Sequence, residues 1–269
     1  MKKYLWLPCC LLLALCAACA APGGIDDDGS IPFDYPSSEV SSVTSESVLP
    51  PDPISEDVQE YTNSEGKVIM TSRISVETLL DSAAPGASVI NAQLATAAAN
   101  ARAAANELSL QAEADDATET PYYMDVEYIA AYVGKSLVCY LCTEETFSGG
   151  VTSQTTQTSL CFDSTTGAAV TSPDEVFSVD PAVYLPRIWA EVIGQIESSR
   201  ASLGDAFPYY ENYGDAVRAA QLNGRWYVSD DGLVVFFNPY DIAPHAAGVR
   251  EFCIPFANIA DIFICSLVQ

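Results

Sequence analysis

The chain has a single histidine among 269 residues and only 11 Lys and Arg against 36 Asp and Glu. One histidine excludes zinc sites that need paired imidazoles. Gly-x-Ser-x-Gly, His-Glu-x-x-His and a phosphate-binding P-loop are all missing from the sequence. Scarce base at pI ≈ 4.1 means repulsion from nucleic acid and from anionic lipid head groups. Nucleic acid is therefore excluded as a partner, whereas a basic protein suits the charge. Nor is there an apolar run long enough to cross a bilayer comfortably: Leu5 to Ala18 covers fourteen residues, the length of a signal-peptide core.

That run has the context of a lipoprotein signal. Lys2 and Lys3 supply a charged start, and Cys16-Ala17-Ala18-Cys19 supplies small residues before a thiol. Cys16 stands where such signals usually carry Leu, Val or Ile. The expectation is a signal peptide over 1–18 and lipidation of Cys19, which would anchor the protein on the outer face of the bacterial cytoplasmic membrane. An uncleaved amphipathic helix, or a signal cut elsewhere to release a soluble protein, are the competing readings. Without Lys2 and Lys3 the balance is 9 − 36 = −27.

From Ala20 to Glu65 the chain is rich in Ser, Pro, Asp and Glu and has no Lys or Arg. Such composition cannot bury enough apolar surface to offset its ordering entropy, so 19–66 reads as an acidic disordered linker. Asp26-Asp27-Asp28-Gly29 lacks the spacing and terminal Glu of a calcium loop.

Order is expected from Lys67, in two halves, 67–180 and 181–269. Val68-Ile69-Met70 and Ile74 suggest a first strand, and Ile90, Leu94, Ala97, Ala101, Ala105 and Leu108 recur at helical spacing over 88–112. Met124, Val126, Tyr128 and Tyr132 alternate with acidic residues as a half-buried strand does. Leu137 to Cys142 and a segment ending at Phe162 complete an antiparallel meander. Asp180-Pro181 marks a helix start, with Tyr184, Ile188, Val192, Ile196 and Leu203 on one face and Pro186 as a kink or a second beginning. Trp226–Val228, the turn Asp230-Asp231-Gly232, Leu233–Phe237, and Glu251–Ile254 read as strands. The short segment Pro255 to Phe263 reads as a closing helix. The fold class expected is α+β, an antiparallel sheet with two main helices packed on it.

Five cysteines follow the signal region: Cys139, Cys142, Cys161, Cys253 and Cys265. Cys139 and Cys142 on a strand would face opposite ways, so zinc is not expected. Buried free thiols are the favoured state, and Cys161 could instead bond to Cys139 or Cys142 in an oxidising compartment. Tyr122, Tyr123, Tyr209, Tyr210 and Tyr213 fit either a carbohydrate- or peptide-binding surface or simple core packing.

Asn238-Pro239-Tyr240, Ile242-Ala243-Pro244, Gly248 and Ile254-Pro255 form a long ordered motif after an aromatic strand. It resembles the C-terminal extracellular domain shared by RsiV-type anti-sigma factors and PdaC-type peptidoglycan deacetylases. Gly149, Gly150, Asp163, Thr166, Gly167 and Phe177 are similar to the companion segment upstream, with the resemblance covering about Val68 to Leu267. Thr152 stands where that family often has histidine, and Cys161 where it often has asparagine. The resemblance implies an extracellular recognition module, which in RsiV binds lysozyme, a strongly basic protein. The deacetylase's histidine-bearing metal domain is missing here, as are the anti-sigma factor's sigma-binding segment and membrane helix. The implied binding residues are Gly149, Gly150, Thr152, Tyr240, Pro244 and His245, with no catalytic residue, cofactor or metal.

The function expected is therefore a non-enzymatic, lipid-anchored binding or sensing protein of the cell envelope, for lysozyme or peptidoglycan fragments. A wall-active hydrolase using His245 with Asp241 or Glu251 is the alternative from a different class, and a structural accessory lipoprotein is the third.

Overall fold

The computed structural model describes residues 54–264. The signal peptide, Cys19, the linker up to residue 53 and Cys265 lie outside the described residues. Strands β1 (Ile54–Thr62) and β2 (Val68–Glu77) lead into helix α1 (Ala87–Ala114). Then come β3 (Tyr122–Val133), β4 (Leu137–Phe147), β5 (Gln154–Asp163) and the short β6 (Ala169–Val170). The rest comprises α2 (Pro181–Leu203), α3 (Tyr213–Ala219), β7 (Trp226–Val228), β8 (Gly232–Phe237), β9 (Arg250–Pro255) and α4 (Phe256–Ile259).

The class is α+β with two long helices, as the sequence indicates. The strands form two sheets, six in the order β1 to β6 and three in the order β7-β8-β9. The larger sheet is mixed rather than wholly antiparallel, because β2 pairs with β3 in parallel through Met70↔Tyr122 to Val76↔Tyr128. A parallel neighbour needs a crossover connection, and α1 provides it.

Residues 54–62, assigned by composition to the disordered linker, form edge strand β1 and pair with β2 from Ile54↔Glu77 to Thr62↔Val68. Composition misled because β1 buries almost nothing. Backbone pairing and polar contacts hold it: Arg102 on α1 donates to the Asp57 carboxylate (2.8 Å) and carbonyl (2.9 Å) and also reaches Ser72, and Tyr61 Oη donates to Asn106 Oδ1 of α1 at 2.9 Å.

Alternation along the strands of the large sheet feeds two cores. Met70, Ile74, Met124, Val126, Val138 and Tyr140 face α1 and bury Ile90 and Leu94. Each such buried side chain contributes about 1.5–3 kcal/mol. Leu137, Cys139 and Cys161 point the other way, into a core with Tyr184, Ile188, Val192 and Ile196 of α2 and with Trp226, Leu233, Val235, Phe237 and Ile254 of the small sheet. Leu203, placed on the same helix face by the sequence, is exposed.

Helix α2 starts at Pro181 and runs through Pro186, and Asp180 precedes it without a side-chain capping bond. Glycine is required at Gly86, where an added Cβ would collide with the Gly167 backbone. That contact docks the Asp163–Gly167 turn on the start of α1, with Gly86 N donating to Ser164 O at 2.7 Å. Cys139 and Cys142 face opposite ways along β4: Cys139 lies in the α2 core and Cys142 packs beside the α1 core.

Candidate binding surface

Two loops carry the residues singled out by the sequence. The first, between β8 and β9, is organised by Asn238. Its Oδ1 accepts from Gln157 N at 2.8 Å, and its Nδ2 donates to Gln157 O at 3.0 Å. A primary amide thus stands in for a paired strand along the part of β5 that β6 does not reach, and it sews the loop to the large sheet. Asp241 supports the turn from below, accepting from Asn238 N (2.7 Å) and pairing with Arg225 (2.6 Å). Ile242 and Ala243 are buried, and Ile242 O accepts from Tyr210 N at 3.0 Å.

That anchoring pushes Tyr240 outward. Its φ is +72°, a left-handed conformation that costs a non-glycine residue roughly 1–2 kcal/mol, and its side chain is 62% exposed. Strained backbone of this kind recurs at functional sites. Pro244 is exposed beside it. The half-buried His245 ring lies 5.6 Å from that of Tyr240, and its Nε2 atom is buried without a hydrogen-bond partner.

No hydrogen bond joins His245 to the carboxylates suggested for a hydrolase. Asp241 is engaged as above, and Glu251 accepts from Gln157 Nε2 at 2.6 Å.

The second loop caps the β4–β5 hairpin. Gly149 and Gly150 have φ of +87° and +97°, as two consecutive left-handed residues demand. Thr152 and Val151 are exposed. Below the loop, Glu145 accepts from Tyr123 Oη (2.7 Å) and Ser153 Oγ (2.8 Å), and these donors hold its carboxyl below the ordinary value. The Tyr123 ring stacks on Phe147 at 5.7 Å.

The Gly149 turn lies beside Tyr122, which faces the α1 core, whereas Tyr123 and Glu145 belong to the other, solvent face of the large sheet. There Asp125 sits directly opposite Glu145, a like-charge pairing that normally destabilises a ladder, and Glu127 follows two residues along. Glu56 and Asp125 lie on either side of Arg73, at 3.8 and 3.5 Å. This acidic face was legible only as alternation of acidic and apolar residues in β3. Among the tyrosines, Tyr122, Tyr209 and Tyr213 are buried, which favours the packing reading for them.

Two cavities lie elsewhere: about 450 Å³ between α1 and β5, floored by Leu160 and Phe162, and about 690 Å³ along α2 at Leu185, Trp189 and Ile193. No described helix is long and apolar enough to cross a membrane, and the described residues contain no group of three or more His, Cys, Asp or Glu fit to hold a metal ion.

A mixed sheet crossed by one helix, with a second helix over a small three-stranded sheet, is a fold found in solved proteins. Residues 174–257, which include the Asn238–Gly248 loop, match the domain family described as "Protein of unknown function (DUF3298)". The chain is similar to a DUF3298 family member from Bacteroides fragilis, at 18% identity and a TM-score of 0.51, covering 79% of this chain and 94% of that one. It is also similar to a DUF3298 family protein from Pseudomonas aeruginosa PAO1, at 14% identity and a TM-score of 0.53, covering 82% and 98%. These likenesses extend the shared fold well beyond the matched domain. No curated protein matches the chain.

Proposed function

We propose that this is a non-enzymatic binding or sensing protein of the bacterial cell envelope, held by a lipid on Cys19, which recognises a basic protein of the lysozyme type. The supporting observation is the solvent face of the large sheet. Asp125, Glu127, Glu145 and Glu56 share it with Arg73, in a chain of net charge −25. Opposed carboxylates such as Asp125 and Glu145 weaken the free sheet and gain from a cationic partner. The RsiV- and PdaC-like motif adds to this reading, because the RsiV module recognises lysozyme.

A second reading, recognition of cell-wall glycan, draws on Tyr240, an exposed ring held in a strained conformation beside His245. The test is binding of the full chain to c-type lysozyme and to soluble peptidoglycan fragments at low and moderate salt. Lysozyme binding that weakens with salt, and weakens further in Asp125→Asn/Glu145→Gln, supports the acidic face. Glycan binding lost in Tyr240→Ala moves the site to the β8–β9 loop. If neither ligand binds, both readings fall.

A further inference from the structure

Strands β4 and β5 are antiparallel, with Cys139 directly opposite Cys161. The amides of Gln157, Ser159 and Asp163 all leave β5 on the side away from β4, for Asn238 Oδ1, Gly224 O and Ala168 O. Cys161 shares their parity, so it forms with Cys139 a narrow pair not hydrogen-bonded to each other. In such pairs the Cα atoms are about 4.5 Å apart, within the roughly 4.4–6.8 Å that disulfides span. The two Sγ atoms lie 2.9 Å from each other, and Cys161 Sγ is 3.9 Å from Trp226 O. Cys142 is on the other face of β4, beside the α1 core, and Cys253 is on β9. Among the described cysteines, register and facing thus choose one partner for Cys161.

We propose that Cys139 and Cys161 are a disulfide-forming pair, giving the oxidised chain a covalent rung where the two sheets meet. The oxidant is another disulfide, either a small molecule or a thiol–disulfide oxidoreductase. One thiol loses its proton and attacks that disulfide, forming a mixed disulfide and releasing one thiol. The second cysteine loses its proton and displaces the remaining thiol. Two protons and two electrons leave the pair, and the oxidant departs as two thiols.

Once the small sheet is docked, both side chains are buried, and burial pushes the Cys161 thiol well above its ordinary value. Burial of both side chains also keeps an oxidant out, so exchange is expected while the second core is open. The inference rests on the envelope reading only for where the oxidant is met, since cytosolic thiols are kept reduced.

The test is refolding of the full chain in oxidised glutathione, followed by alkylation, digestion and mass spectrometry. Between Lys135 and Arg187 there is no Lys or Arg, so a tryptic peptide would carry Cys139, Cys142 and Cys161 together. Chymotrypsin cuts after Tyr140 and parts the first two. The expected product joins the Cys139 and Cys161 fragments, persists in Cys142→Ser and Cys253→Ser, and vanishes on reduction and in Cys161→Ala. Free Cys139 and Cys161 after this refolding, or either of them joined to any other cysteine of the chain, would overturn the pairing. A parallel sample is alkylated directly from cells. A pair oxidised in the refolded chain but reduced in cells supports the pairing and sinks the envelope location.

Discussion

Replacing Asn238 by alanine tests whether its amide truly substitutes for a strand. The change removes the partners of both Gln157 N and Gln157 O, and Gln157 is only 8% exposed. Each buried backbone group left unsatisfied costs about 1–3 kcal/mol, so the expected loss is about 2–4 kcal/mol after partial access by water. With a urea m-value of about 2 kcal/mol/M for a domain of this size, the midpoint should fall by about 1–2 M at unchanged m. Tryptophan fluorescence follows the transition, since Trp226 is buried in the second core and its carbonyl accepts from Ser159. Asn238→Asp sharpens the test. At neutral pH its carboxylate keeps the acceptor for Gln157 N but faces Gln157 O with a second acceptor. Once protonated, the acid again offers both a donor and an acceptor. Its deficit relative to wild type should therefore shrink as pH falls. An alanine variant within about 0.5 kcal/mol of wild type would refute the bridging role.

Three further outcomes are expected. Tyr240→Gly should stay within about 1 kcal/mol of wild type in urea unfolding, because relief of the left-handed strain offsets glycine's greater unfolded-state entropy, whereas β-branched Tyr240→Val should be clearly less stable. Arg102→Met removes the clamp on Asp57 and Ser72, so amide exchange in β1 should accelerate by about tenfold while β3 and β4 stay protected. Asp163 is held below its usual 3.8 by the Thr166 backbone and side chain, then by the Thr165 backbone. A carboxyl lowered in the folded state adds stability that is present above its unfolded pKa and is lost as pH falls through the folded one. Asp163→Asn should thus lose less stability than wild type between about pH 5 and pH 3.

Much of the fold was legible because the deciding signals are local. The helical spacing of Ile90 and Leu94, the alternation around Val126, and the Tyr184–Ile196 face each require one element to bury one side. β1 was missed because its stability lies in backbone pairing and in partners remote in sequence, Arg102 and Asn106 on α1. The parallel step from β2 to β3 was missed because strand direction depends on the path of α1, which no strand's composition records. At the site, the motif around Asn238 stood out, but its partner Gln157 lies eighty-one positions away in a stretch with no distinctive pattern. Asp241 and Glu251, offered as partners of His245, turned out to be engaged with Arg225 and Gln157. Both partners lie in other segments, so nothing beside Asp241 or Glu251 in the sequence marks them.

Strand β1 also has a mechanical meaning. In a chain held through its N-terminus, any tension reaches the domain at Ile54 and is carried first by the nine register pairs from Ile54 to Thr62. These side chains are almost all exposed, so the load falls on ladder hydrogen bonds and on the Arg102 clamp while both cores stay packed. Overload would peel this strand alone and release about 30 Å of slack at roughly 3.3 Å per residue. Glu56 would leave the acidic face with the strand, while Asp125, Glu127 and Glu145 would remain on the folded sheet at the end of a longer leash.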